Sequence, residues 1–145
     1  MKKTINSVLA VMLAVAFMLC LAACGNSDNV SQTGVWENAV YLKDTELGEG
    51  EKTVVCKVEA EDNTITFTVK TDKTTVGEAL LENDIIAGEE SEYGLYIKSV
   101  NGITADYDVD KSYWAFYIDG EYATSGVDTT DITEGATYSL VYTKE

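Results

Sequence analysis

The sequence predicts an α+β domain: a mixed or antiparallel sheet with one helix packed on one face. Three observations lead there. Apolar residues alternate with a period of two over residues 53–59 and again over 64–70. A short helical segment with its own start signal follows. Every later apolar stretch is again short, rich in aromatic and β-branched residues, and bounded by turn dipeptides.

The chain opens with Met1-Lys2-Lys3, and residues 8–23 are almost wholly apolar. That run is shorter than the roughly 20 apolar residues a membrane span needs. It ends in Leu21-Ala22-Ala23-Cys24-Gly25. A basic start, an apolar stretch and small residues at a cut site make a signal peptide. The terminal cysteine makes the segment resemble the bacterial lipobox. Residues 1–23 are therefore expected to be a lipoprotein signal peptide. Cys24 is expected to carry lipid that holds the chain on the extracytoplasmic face of the cell membrane. Two acyl chains on such a cysteine anchor stably, where one would bind only marginally.

Residues 24–50 are expected to be the lipidated cysteine and a flexible tether, being rich in Asn, Ser, Gly, Thr and acidic residues. The patch 36–42, with Trp36, Val40, Tyr41 and Leu42, admits a second reading, a strand docked on the domain. The domain itself is expected to span residues 51–145.

In the first strand Val54, Cys56 and Val58 share a face; in the second Ile65, Phe67 and Val69 do. Glu61-Asp62-Asn63 suits the turn between them. Thr75-Val76-Gly77-Glu78 fits a capping box and starts a helix with Val76, Ala79 and Leu80 on its apolar face. The helix is expected to end near Asn83 or Asp84. Strands are expected over 95–100, 113–118, 121–125 and 137–143, with hairpin turns at Asn101-Gly102 and Asp119-Gly120. The absence of proline leaves ladder pairing open at every position. A β-grasp-like arrangement accommodates this order.

Composition narrows the function. Cleavage after residue 23 of 145 would leave 122 residues, enough for one domain. Loss of Lys2 and Lys3 would take the formal charge from −15 to −17. So acidic a surface disfavours nucleic acid and anionic headgroups as partners. All ten basic residues are lysines, so the planar guanidinium fork is missing. The chain has no histidine, the commonest general base and metal ligand. Of the three cysteines, Cys20 would leave with the signal peptide and Cys24 would be acylated. Cys56 then has no disulfide partner and, from its apolar face, reads as a core thiol. No Gly-rich phosphate loop and no paired cysteines occur, so no catalytic residues, and not an enzyme, are expected. Asp106, Asp108 and Asp110 alternate as calcium ligands can. However, Lys111 stands where the turn glycine of a calcium loop belongs, and Tyr117 where its bidentate glutamate belongs. A solvated acidic loop, with no metal site and no cofactor, is the expectation.

Aromatic residues carry the strongest functional signal. Ten of the fourteen lie between Tyr93 and Tyr142. Within 113–118, Trp114, Phe116 and Ile118 share one face, expected to pack on the helix. Tyr113, Ala115 and Tyr117 share the other, where the tyrosines are expected to present rigid, amphipathic contact area outward. The competing reading is that tyrosine simply favours strands.

Several segments together resemble a known bacterial family, the transcobalamin-like C-terminal domain. They are Thr75-Val76-Gly77-Glu78-Ala79-Leu80-Leu81, the run from Tyr93 to Gly102, the run from Tyr113 to Gly120, Gly126-Val127 and Gly135. The resemblance spans about residues 51–145 and implies a β-grasp-like fold. It also implies binding of cobalamin or another flat amphipathic ligand, with Tyr113, Trp114, Phe116 and Tyr122 carried over as candidate binding residues; the outward tyrosine face adds Tyr117 to them. The expected function is therefore a membrane-tethered extracytoplasmic binding lipoprotein that captures a corrinoid-like molecule for a membrane transporter. The alternative is a non-catalytic protein–protein interaction module of a cell-surface complex.

Overall fold

The structure is a computed structural model that describes residues 29–145. The expected signal peptide and the lipidation site at Cys24 lie outside the described residues. The fold is mixed α+β, mostly strands in two sheets with few helices.

Two long strands form the densest part, Lys52–Ala60 (β2) and Asn63–Thr71 (β3). They pair antiparallel around the Glu61-Asp62 turn and bring Val54 opposite Val69, Cys56 opposite Phe67 and Val58 opposite Ile65. All six side chains are at most 1 % exposed, so the predicted apolar face is core along its whole length. Each fully buried aliphatic side chain there contributes about 1.5–3 kcal/mol. Burial pushes the Cys56 thiol up to about 12, which leaves it inert at physiological pH.

The capping box forms as the sequence predicts. Thr75 Oγ1 accepts from the Glu78 backbone N–H at 3.2 Å, and Glu78 Oε2 accepts from the Thr75 N–H at 3.1 Å. The helix Val76–Glu82 (α1) buries Val76, Ala79 and Leu80 in the main core.

Four further strands complete the larger sheet: Thr45–Gly48 (β1), Ser112–Ile118 (β7), Glu121–Tyr122 (β8) and Thr137–Lys144 (β9). Its six strands run in the order β1-β3-β2-β9-β7-β8. β1 runs parallel to β3 and β9 parallel to β2, whereas β7 pairs antiparallel with both β9 and β8. The sheet is therefore mixed. A separate three-stranded antiparallel sheet joins Ile86–Ser91 (β4), Gly94–Val100 (β5) and Ile103–Thr104 (β6). The expected hairpins at Asn101-Gly102 and Asp119-Gly120 form two-residue turns with positive φ at all four residues.

Several elements depart from the sequence reading, among them β1, β6 and the helical turn Tyr107–Asp110, none of which it contains. The described part of the segment before residue 50 is docked on the domain through Trp36 and Tyr41. Trp36, in the 3-10 helix Gly34–Asn38, is fully buried, and its Nε1–H donates to the Ala60 carbonyl at 2.9 Å. Of the two readings left open for 36–42, docking holds, although the local form is a helical turn. The side-chain amide of Asn101 clamps Tyr41 from both sides, accepting from its N–H and donating to its carbonyl at 2.8 Å each.

β4 carries no alternation that marks it as a strand, and five of its six residues are exposed. Hairpin pairing with β5 holds it there. At Gly88 a Cβ would lie 2.0 Å from the Tyr96 carbonyl oxygen, so only glycine admits that approach.

The strand expected over 121–125 stops at Tyr122. Ala123 N–H still donates to the Phe116 carbonyl, and the chain then turns into the 3-10 helix Val127–Thr129 against α1.

Candidate functional site

The early end of β8 leaves a cleft. β8 pairs with only Tyr117 and Ile118 of β7, so residues 112–116 have no strand on that side among the described residues. The Phe116 carbonyl points to this edge, where Ala123 N–H reaches it at 2.9 Å. By the two-residue alternation of a strand, the backbone N–H and C=O of Trp114 point the same way, past the end of β8. β5 of the smaller sheet forms the facing wall.

The cleft has two adjoining parts that share the rings of Tyr96, Tyr113 and Tyr122. The first, about 660 Å³, is mainly apolar, with Leu95 and Ile97 from β5, Trp114 and Phe116 from β7, and Val127 beyond. The second, about 630 Å³, lies between β5 and the short helix Tyr107–Asp110 (α2). Here Tyr96, Tyr107, Tyr113 and Tyr122 supply four rings, Asp106, Asp108 and Glu145 three carboxylates, and Lys98 one ammonium.

The aromatic side chains are held by specific contacts. Trp114 Nε1–H donates to the Ile103 carbonyl at 3.2 Å, and its ring meets Tyr142 edge-on at 5.6 Å between centroids. Phe116 stacks on Tyr138 at 6.1 Å. Tyr122 meets Tyr117 edge-on at 5.4 Å, and Tyr107 meets Tyr113 at 6.5 Å. Behind the first part, Asp128 ties the 3-10 turn to β5, with Oδ2 accepting from Leu95 N–H at 3.2 Å while Oδ1 is buried without a partner.

The acidic residues near the second part are separately engaged. Asp106 caps α2 by accepting from Asp108 N–H at 3.0 Å. Asp110 accepts from the Ser112 hydroxyl and pairs with Lys144 at 2.9 Å. Those contacts, the Ser112 bond foremost, hold the Asp110 carboxyl below its ordinary value. Tyr107 Oη–H donates to Glu145 at 2.7 Å, and that bond raises the phenol above its ordinary value. Among the described residues no three His, Cys, Asp or Glu side chains converge as a metal site would require.

Four of the five aromatic residues singled out from sequence, Tyr113, Trp114, Phe116 and Tyr122, line this cleft. Tyr117 does not. It faces a smaller cavity of about 280 Å³ with Glu59, Gly120, Ser139 and Val141. The expectation that α1 covers Trp114 and Phe116 also needs correcting. They join the main core but retain 8 % exposure each, and β5 rather than the helix lies over β7. Ala115, placed on the outward face by alternation, is 2 % exposed, so that face is not simply open. Sequence reasoning passed over Tyr96 and Tyr107 as cleft walls. The signal was present in their clustering with the other tyrosines, but the second sheet that brings Tyr96 across from β7 was not foreseen.

Residues 73–143 match the family described as Domain of unknown function (DUF4430). Two of 17 similar solved chains illustrate the likeness. One is a candidate metal-binding protein from Ruminococcus gnavus ATCC 29149, at 30 % identity and a TM-score of 0.62, over 66 % of this chain and 99 % of that one. The other is haptocorrin in complex with Cbi, at 20 % identity and a TM-score of 0.51, over 64 % of this chain. The match spans 25 % of haptocorrin's length and shows a likeness of fold. No curated protein matches the chain.

Proposed function

Since the chain carries a DUF4430 domain and belongs to one family with the Ruminococcus gnavus protein, we propose that it is a non-catalytic binding module for a flat, amphipathic small molecule. The molecule enters between β5 and the β7–β8 hairpin. The observation that carries this reading is the apolar part of the cleft. Trp114 and Phe116 form its floor, and Tyr122 stands 65 % exposed beside it. Its size is that of a small-molecule site, and its lining sets these apolar side chains beside the polar groups of Tyr93, Thr124, Ser125 and Thr129.

A corrinoid suits this chemistry. Its ring would lie on the aromatic floor while its polar periphery meets tyrosine hydroxyls and the free backbone groups of Trp114. The likeness in fold to haptocorrin supports that class. One small domain would cover only one face of so large a ligand, which favours modest affinity and release to a second protein. The β2–β3 hairpin, the helix after it and the parallel pairing of β2 with β9 support a β-grasp-like frame. We further propose that Cys24 carries the lipid anchor, that the domain works at the outer face of the cell membrane, and that it passes its ligand to a transporter there. The lipobox-like segment supports the anchor and the location.

Calorimetric titration of the purified chain with cobalamin and with cobinamide tests the ligand class. Saturable heat with either is expected; no heat with both would remove the corrinoid reading. Replacement of Cys24→Ser should abolish palmitate labelling in cells and release the protein from the membrane fraction; retained labelling would refute the anchor.

A further inference from the structure

The second part of the cleft has a chemistry that a flat apolar ligand does not use. Four tyrosine rings surround it, and three carboxylates against one lysine give its lining a negative balance. The face of an aromatic ring attracts a cation placed within about 6 Å of its centroid. Two of the four rings already hold one: Lys111 Nζ lies 4.4 Å from the Tyr107 centroid and Lys98 Nζ 6.0 Å from that of Tyr96. Tyr113 and Tyr122 carry no such lysine among the described residues.

We infer that this part of the cleft binds a small organic ammonium ion of the choline type, seated against Tyr113 and Tyr122 and balanced by Asp106, Asp108 and Glu145. A quaternary ammonium is weakly hydrated and gains most from ring faces. A metal ion would need converging ligands, and those are missing among the described residues. The carboxylates also select between two sources of the same cation. A free ammonium alcohol meets a net attraction, the three carboxylates outweighing the Lys98 ammonium, whereas a phosphate-bearing headgroup brings its own anion against Asp106, Asp108 and Glu145. The inference rests on the ligand-binding reading of the cleft but not on the corrinoid.

Calorimetric titration of the purified chain with choline, 3,3-dimethylbutan-1-ol and phosphocholine tests it. The butanol replaces the charged nitrogen by carbon at nearly constant shape. Saturable choline binding is expected, about tenfold tighter than the butanol, as a cation–aromatic contact allows. Phosphocholine is expected to bind more weakly than choline. Because Tyr122 is largely exposed, Tyr122→Leu should fold normally and weaken choline several-fold, while Tyr122→Phe keeps the ring and the affinity. No saturable choline binding, equal binding of the butanol, or an unchanged Tyr122→Leu would overturn the inference. Cobinamide titrated in parallel separates the two proposals: choline without cobinamide removes only the corrinoid, and cobinamide without choline removes only the ammonium site.

Discussion

The β2–β3 hairpin and the β7–β8 hairpin turn on the same number of residues and end differently. Both close on a two-residue turn, but β2 and β3 alternate apolar with polar residues whereas β7 is aromatic or apolar on both faces. In the first, nine register pairs run the full length of both strands, and every apolar side chain on the inner face is sealed. In the second, the partner strand gives only two pairs before the chain turns away toward α1. Its aromatic residues therefore range from the 8 % exposure of Trp114 and Phe116 to the 65 % of Tyr122. Partner-strand length, rather than alternation, decides whether an aromatic face becomes core or cleft.

The largest expected effect falls on the sealed side. Phe67→Ala should cost about 3–5 kcal/mol, read from urea or thermal unfolding, because the surrounding core cannot collapse into the space. A loss below 1 kcal/mol would mean that this side is not rigidly packed. Next comes the clamp that ties the docked N-terminal segment to the β5–β6 turn. Asn101→Ala removes two hydrogen bonds to Tyr41 and leaves partly buried backbone groups without partners, at about 1–3 kcal/mol. Hydrogen exchange at Tyr41 should rise in parallel, and unchanged protection would show that the segment docks without the clamp.

Smaller still is a pH effect confined to the open side. The Asp110 carboxyl is lowered chiefly by the Ser112 hydroxyl and then by Lys144. A lowered folded value means that its contribution is complete above the ordinary carboxylate range near pH 4 and is lost as pH falls through the folded value. Asp110→Asn should therefore flatten part of the acid limb of the stability profile. An acid limb identical to that of the parent chain would show that the Asp110 contacts do not persist in solution.

Much of the sealed side was legible in the sequence, since period two, the Thr75–Glu78 box and the turn dipeptides are local signals. The docked segment was not, because Trp36 finds Ala60 only through tertiary contact, and composition alone resembles a tether. β4 escaped because close backbone approach at Gly88, not side-chain pattern, puts it in the sheet. The cleft was half legible. The aromatic cluster marked Tyr113, Trp114, Phe116 and Tyr122, but strand alternation could not show that β8 ends early. It therefore assigned Tyr117 to the site and left Tyr96 and Tyr107 out.

The contrast between core and cleft is tested most directly at Tyr122, with stability and ligand binding measured on the same variant. Tyr122→Ala should change unfolding free energy by no more than about 0.5 kcal/mol, as expected for an exposed side chain. The same variant should lower the affinity for cobinamide several-fold in calorimetric titration. Unaltered affinity, or a loss of stability matching the loss of binding, would contradict the assignment of the open side as a ligand site.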